Sequence, residues 1–280
     1  MPTLDPDANI LVDTEWLVAN LDDPQIRVVD CDEPLGYDRM HITGAIKIPV
    51  FHYIKNASVV SPAGYGINVM AAEEVSALLH KMGIGPNDKV VVYDNSLSLY
   101  AARFWWVLTY YGYKFVKIVD GGWKKWYREG RPIGLDVAEY SAQDKLKPKT
   151  DTSMIIGTEE LIQSYNHPDV LVWDVRSQKE YIGTETRGNK RTGHIPGAIH
   201  MEWKDSIDKS TGCFLDAKTL EVAFTSKGIT PNKKIVTHCQ GGIRAAHAAL
   251  TLKLLGYKNV RNYDPSWNDW GNRQDTAIET

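Results

Sequence analysis

Residues 112–126 read GYKFVKIVDGGWKKW, and residues 256–270 read GYKNVRNYDPSWNDW. Gly, Tyr, Lys, Val, Asp and two Trp recur at one offset, 256 − 112 = 144. Outward from these stretches the correspondence continues. IRVVD ends at Asp30 and VLVWD at Asp174, again 144 apart. His41-Ile42-x-Gly44-Ala45 answers His194-Ile195-x-Gly197-Ala198 at an offset of 153, so the second copy carries an insertion between the two motifs. Met82-Gly83-Ile84 answers Lys227-Gly228-Ile229 at 145. Solenoid repeats have periods of about 20–50 residues; a period this long is a duplicated domain.

Each copy reads as α/β. Short apolar runs at 26–30, 89–93 and 116–119, then at 170–174, 234–238 and 259–262, have the length and content of buried strands. Amphipathic stretches at 71–82, 99–111, 216–227 and 244–255 read as helices, the last stopped by Gly256. Alternating strands and helices predict a mainly parallel sheet with helices on both faces. The polar segment 131–153 holds two prolines and no clear periodicity. We therefore divide the chain into a first domain over 1–135, a linker over 136–153 and a second domain over 154–280.

The bulk composition excludes several classes. Net charge is 32 − 35 = −3 and there is no basic block, so neither nucleic acid nor a membrane is an expected partner. No apolar run approaches the ~18 residues of a membrane span. The start, MPTLDPDANILV, lacks a basic segment followed by an apolar one. Three widely spaced cysteines, Cys31, Cys213 and Cys239, fit a reducing compartment better than a disulfide framework, and none forms a CxxC pair for a metal. The expected location is cytoplasmic, with no metal.

The copies differ where a ligand would bind, since parallel sheets receive ligands at the carboxyl ends of their strands. KVVVYD ends at Asp94, whereas the equivalent KKIVTHC ends at Cys239. From Asp94 to Ala101 is seven positions; from Cys239 to Ala245 is six. One strand tip carries a carboxylate and the other a thiol, which packing alone does not require. After Cys239 come Gln240, Gly241, Gly242, Ile243 and Arg244. The glycines permit a turn whose N–H groups point inward as an anion nest. The following helix N-terminus adds unpaired N–H groups and positive charge. A cysteine placed there is a nucleophile prepared to meet an anion. Cys31 and Cys213 lack that setting and read as structural.

These residues resemble the tandem rhodanese family of thiosulfate and mercaptopyruvate sulfurtransferases. The resemblance spans nearly the whole chain: HITGAI (41–46), VVYD (91–94), Arg103-x-Trp105-Trp106, DGGWKKW (120–126), DVRSQKEYIG (174–183), GHIPGAI (193–199), CQGGIR (239–244) and YDPSWNDW (263–270). It implies an inactive first copy and a catalytic second one facing the interdomain cleft. It further implies a Cys239 persulfide formed from a small anionic sulfur donor and passed to a thiol, a protein or, in assay, cyanide, with no organic cofactor. Asp174 would support the loop; Arg176 and Arg244, with residues 240–243, would bind the donor. Three departures from the family pattern bear on that donor. Gln240-Gly241 stands where thiosulfate-type loops often carry a basic pair. Gly241 stands where mercaptopyruvate-type loops carry serine. Glu180 stands six positions after Asp174, where an arginine is common. Thiosulfate is the expected donor, with 3-mercaptopyruvate the alternative.

Other singled-out residues read as structural. His238 should point away from Cys239 along the strand; His247 is assigned to the surface or the domain interface. His41 and His194 recur in both copies, as do Trp123/Trp126 and Trp267/Trp270, so both sets are assigned to packing. Asp120 and Asp264 are assigned to turns. Cysteine-loop phosphatases are the main rival, but they use Cys-x5-Arg, and here Arg244 gives Cys-x4-Arg. A persulfide carrier serving one protein partner is the other.

Overall fold

The computed structural model describes residues 10–32, 34–48, 50, 55, 68–142 and 144–280. The first half runs β1 (Leu11–Val12), α1 (Thr14–Asn20), β2 (Ile26–Asp30), α2 (Pro34–Arg39), β3 (His41–Ile42), β4 (Ile46–Lys47), α3 (Ala72–Lys81), β5 (Lys89–Tyr93), α4 (Leu99–Tyr110), β6 (Val116–Val119), α5 (Gly122–Arg128) and β7 (Ile133–Gly134). The second runs α6 (Thr158–Ser164), β8 (Val170–Asp174), α7 (Gln178–Tyr181), β9 (Ile199–His200), α8 (Ala217–Ser226), β10 (Lys234–His238), α9 (Ile243–Leu254), β11 (Val260–Asn262) and α10 (Ser266–Trp270). Among the described residues of 135–151 there is no helix or strand.

Two parallel sheets result, in the orders β1-β6-β5-β2-β4 and β11-β10-β8-β9. The duplication holds at the level of register. Leu11 pairs with Ile118, and the residues 144 further on, Ile155 and Asn262, form a parallel bridge in the second sheet. All five residues of β2 are buried, which fits an apolar run covered on both faces. Helix ends follow local chemistry: Asp13 accepts from the Trp16 amide at 2.6 Å to start α1, and Asp216 accepts from the Thr219 amide at 3.0 Å to start α8. Gly256 follows the end of α9 at φ +77°, a conformation that suits glycine.

The recurrent histidines are structural in the same way twice. His41 stacks on Tyr37, with centroids 3.8 Å apart, and its Nδ1 lies 2.9 Å from the Tyr37 carbonyl. His194 repeats this on Tyr181, at 3.8 Å and 3.0 Å. Trp126, Trp267 and Trp270 are buried; Trp123 is only half-buried, against Tyr93 and Tyr127. α4 and α9 pack against each other across the two halves. Both are buried nearly all round, as helices enclosed on every side must be.

Candidate active site

Strand β10 delivers Cys239 to the carboxyl edge of the second sheet, and α9 begins at Ile243. The turn between them closes on the sulfur: the Gly242 amide donates to Cys239 Sγ at 3.1 Å. Gly242 sits at φ +80°, and a Cβ there would lie 2.1 Å from Asp264 Oδ1. Both the conformation and the close approach require glycine. The half-buried Ile243 opens α9.

The segment ahead of and within α10 holds the loop from the other side. The Cys239 amide donates to Ser266 Oγ at 3.0 Å, and the Trp267 amide donates to the Cys239 carbonyl at 3.0 Å. Gln240 is pinned twice by Asn268, through its carbonyl at 2.9 Å and its side-chain amide at 2.6 Å. Asn262 Nδ2 donates to the Gly242 carbonyl at 3.2 Å. The loop geometry is thus fixed before any ligand arrives.

The equivalent loop in the first half is occupied from within. The Asp94 carboxylate accepts the amides of Ser96 and Ser98 on one oxygen, at 2.8 and 2.9 Å, and those of Tyr100 and Ala101 on the other, both at 2.8 Å. A strand end, a turn and a helix start therefore converge four N–H groups on one anion in this fold. In the second half no carboxylate fills that place; Cys239 stands at the strand tip.

Charge around the Cys239 loop is arranged in pairs. Arg244 forks onto Glu180, with Nη1 at 2.7 Å from Oε2 and Nη2 at 2.8 Å from Oε1. Glu180 is also the third residue of the α7 capping box with Ser177. Burial alone would raise its carboxyl; Arg244 and Ser177 overcome that and hold it at about 2. Arg244 therefore does not present an open fork, and its expected role in binding a donor has to be read together with Glu180.

Arg176 departs from expectation. Assigned to donor binding, it is 1% exposed and committed elsewhere. Its Nη2 donates to Asp174 Oδ2 at 2.6 Å and to the Gly193 carbonyl at 2.6 Å, and it lies 4.3 Å from the Trp267 ring centroid. Asp174, expected to support the loop, is buried and accepts from the Arg176 guanidinium on both oxygens. Burial would raise Asp174, yet His238 and Arg176 bring it to about 2. Burial pushes His238 itself down to about 4, so at neutral pH it is uncharged and Arg176 is the partner that acts. His238 Nε2 lies 3.5 Å from Asp174 Oδ2. His247 is not at the surface: it is fully buried between Trp203 and Phe214, beside the Leu97 backbone of the first half.

Three residues at the loop escape a sequence reading. Asp264, assigned to a turn, is fully buried and accepts from Arg103 of α4, with Nη1 at 2.5 Å from Oδ1 and Nη2 at 3.3 Å from Oδ2. Lys55, also of the first half, donates Nζ–H to the Gly241 carbonyl and lies 4.0 Å from Asp264 Oδ1. The signal for Arg103 was present, since a lone arginine within LYAARFWWVLTY cannot be buried unpaired. Lys55 had no such signal.

Among the described residues there is no cluster of three or more metal-ligating side chains, and no helix is long and apolar enough to cross a bilayer. The family model for the Rhodanese-like domain matches this chain twice, over residues 13–129 and 157–273. A sulfur carrier protein of Thermus thermophilus, TtuD, is 36% identical over 276 residues, covering 94% of each chain. The thiosulfate sulfurtransferase of Pseudomonas aeruginosa is 32% identical, covering 98% of each. That of Corynebacterium glutamicum is 33% identical, covering 96% of this chain and 90% of its own. The anaerobic ergothioneine biosynthesis enzyme of Chlorobium limicola superposes with a TM-score of 0.87 at 23% identity, over all of this chain and 72% of its own, a likeness of fold alone.

Proposed function

Since the chain belongs to the rhodanese family of sulfurtransferases, as two tandem domains, we propose that it moves a sulfane sulfur from thiosulfate to a thiophilic acceptor through a persulfide on Cys239. The observation that carries this reading is the contrast between the two loops. One closes four amides on its own Asp94 carboxylate, and the other presents Cys239 with the Gly242 amide already on sulfur.

The chemistry runs in two halves. The Cys239 thiolate attacks the outer sulfur of thiosulfate, a new S–S bond forms, and the bond to the sulfonate breaks with its electron pair leaving on sulfite. The terminal sulfur then carries the negative charge, toward which loop amides are directed. An acceptor thiolate or cyanide takes that sulfur and returns Cys239 as thiolate, so ping-pong kinetics are expected. Asp174, through Arg176, and the Arg244–Glu180 fork keep the walls of the loop fixed. The family names of relatives at 31–33% identity favour thiosulfate. The sulfur-carrier name of the 36% relative supports a second reading, in which a protein partner supplies or receives the sulfur.

Intact mass is the test. The protein incubated with thiosulfate should gain about 32 Da, one sulfur atom held as a persulfide, and cyanide should remove it. Cys239→Ala should show no gain. Loading by 3-mercaptopyruvate alone would transfer the assignment to that donor, and loading only by a persulfidated protein would establish the carrier.

A further inference from the structure

The first half contributes more than a frame to the Cys239 loop. Lys55 Nζ contacts the Gly241 carbonyl, and a Cβ built on Gly241 would stand 3.8 Å from it. The Lys55 backbone is tied by an antiparallel bridge to Val69, whose amide bonds Asp264. The ammonium is therefore anchored at the loop by contacts on both sides of the domain junction.

A charge count gives this position its meaning. Among the described residues around the loop the cations are Arg244, Arg176, Arg103 and Lys55, and the carboxylates are Glu180, Asp174 and Asp264. The three buried arginines fork onto the three carboxylates, while the half-exposed Arg187 reaches Glu180 at 3.8 Å and Glu185 at 3.7 Å from the rim. Of these carboxylates Lys55 reaches only Asp264, at 4.0 Å and already held by Arg103. Among the buried cations it is the one left over once each buried carboxylate has its arginine, and it faces Cys239. Its other bond, to a neutral carbonyl, can be exchanged without separating an ion pair, whereas Arg244 would have to leave Glu180 to meet an anion.

We propose that Lys55 of the first domain is the specificity-determining cation of the second domain's site, releasing the Gly241 carbonyl to bind the sulfonate end of a dianionic sulfur donor. This rests on the sulfur-transfer reading above and deepens it. The inactive copy supplies the charge that selects the substrate. The groups that face the ammonium are Asp264, Arg103 and Cys239; burial lowers the Lys55 pKa to about 8, with Asp264 acting against that. The sign follows: Lys55 is charged below about 8, so preference for a dianion is present there and is lost as pH rises through that value.

The experiment compares wild type, Lys55→Met and Lys55→Arg, reading by intact mass the persulfide that thiosulfate forms on Cys239 and the mixed trisulfide formed when Cys239 attacks the central sulfur of a neutral organic trisulfide and a thiolate leaves. In Lys55→Met, loading by thiosulfate should slow about tenfold or more, with loading by the trisulfide within about twofold of wild type. Lys55→Arg should keep the preference for thiosulfate and move its alkaline loss upward. Equal slowing with both donors would make Lys55 a structural residue and overturn the proposal, as would no change with either. If wild type loads from neither donor, the sulfur-transfer reading fails. The charge claim is then judged in the same variants by alkylation of Cys239: the rate with anionic iodoacetate relative to neutral iodoacetamide should fall in Lys55→Met, and an unchanged ratio would overturn it.

Discussion

Glu180 and Asp174 are held at about 2 by their guanidinium partners, against about 4 for free carboxylates. Their contribution to stability is complete above the free values and is lost as pH falls from about 4 towards 2. Two buried histidines act earlier. His238 and His247 are pushed down to about 4 and about 3, so below about 6.5 the unfolded chain takes protons that the folded chain refuses. Asp30 and Asp94, raised by burial to about 6, act the other way over the same range, so melting temperature followed from pH 8 downwards should change little between about 6 and 4 and fall steeply below about 4. A steep fall already between pH 6 and 5 would contradict that balance. Gly242→Ala meets both a positive φ and Asp264, and should cost at least about 2 kcal/mol in urea titration while abolishing persulfide formation. Glu180→Gln leaves Arg244 without its counter-charge. It should lower the melting temperature and make added thiosulfate more stabilising than in wild type; an equal ligand shift in both proteins would show that Arg244 does not reach the donor.

At the scale of elements, the two strand-turn-helix units are one design with two fillings. Asp94→Ala would orphan four amides at once, those of Ser98 and Ala101 in buried bonds and those of Ser96 and Tyr100 in part-buried ones. We expect a loss of about 2–4 kcal/mol by urea titration, with thiosulfate loading of the folded protein retained. Much of this level was legible in the sequence. Strands β2, β5, β6, β8 and β10 lie on the apolar runs, because a strand covered on both faces needs little beyond apolar continuity. Asp94 and Cys239 were found through the repeat, because a strand tip has no packing reason to change from carboxylate to thiol. What was not legible depends on contacts distant in sequence. Arg176 next to Asp174 looks like a donor ligand until Gly193 and Trp267 close around it. Asp264 looks like a turn residue until Arg103, 161 positions away, meets it. Glu180 looked like a misplaced charge, and the Arg244 fork gives it a partner.

For the whole molecule, the two halves share one apolar core through α4 and α9, with Arg103–Asp264 buried in the junction. Removing one member of a fully buried pair leaves the other uncompensated. Arg103→Met should therefore destabilise by about 3–5 kcal/mol and slow sulfur transfer, since Asp264 lies under Gly242. Replacing both residues by apolar ones should restore much of the stability, measured by urea titration, and not the rate. The enclosure of α4 also sets an order of events during synthesis. Its buried face is made by Tyr110, but the partner face is complete only at Leu254, 254 − 110 = 144 residues later. At about 5–20 residues per second a ribosome needs roughly 7–30 seconds for that stretch. For that interval the nascent first half exposes a strip of Ala, Phe, Trp and Val to solvent. The helix that will cover it is still being translated, and that window is when a holding chaperone has something to bind.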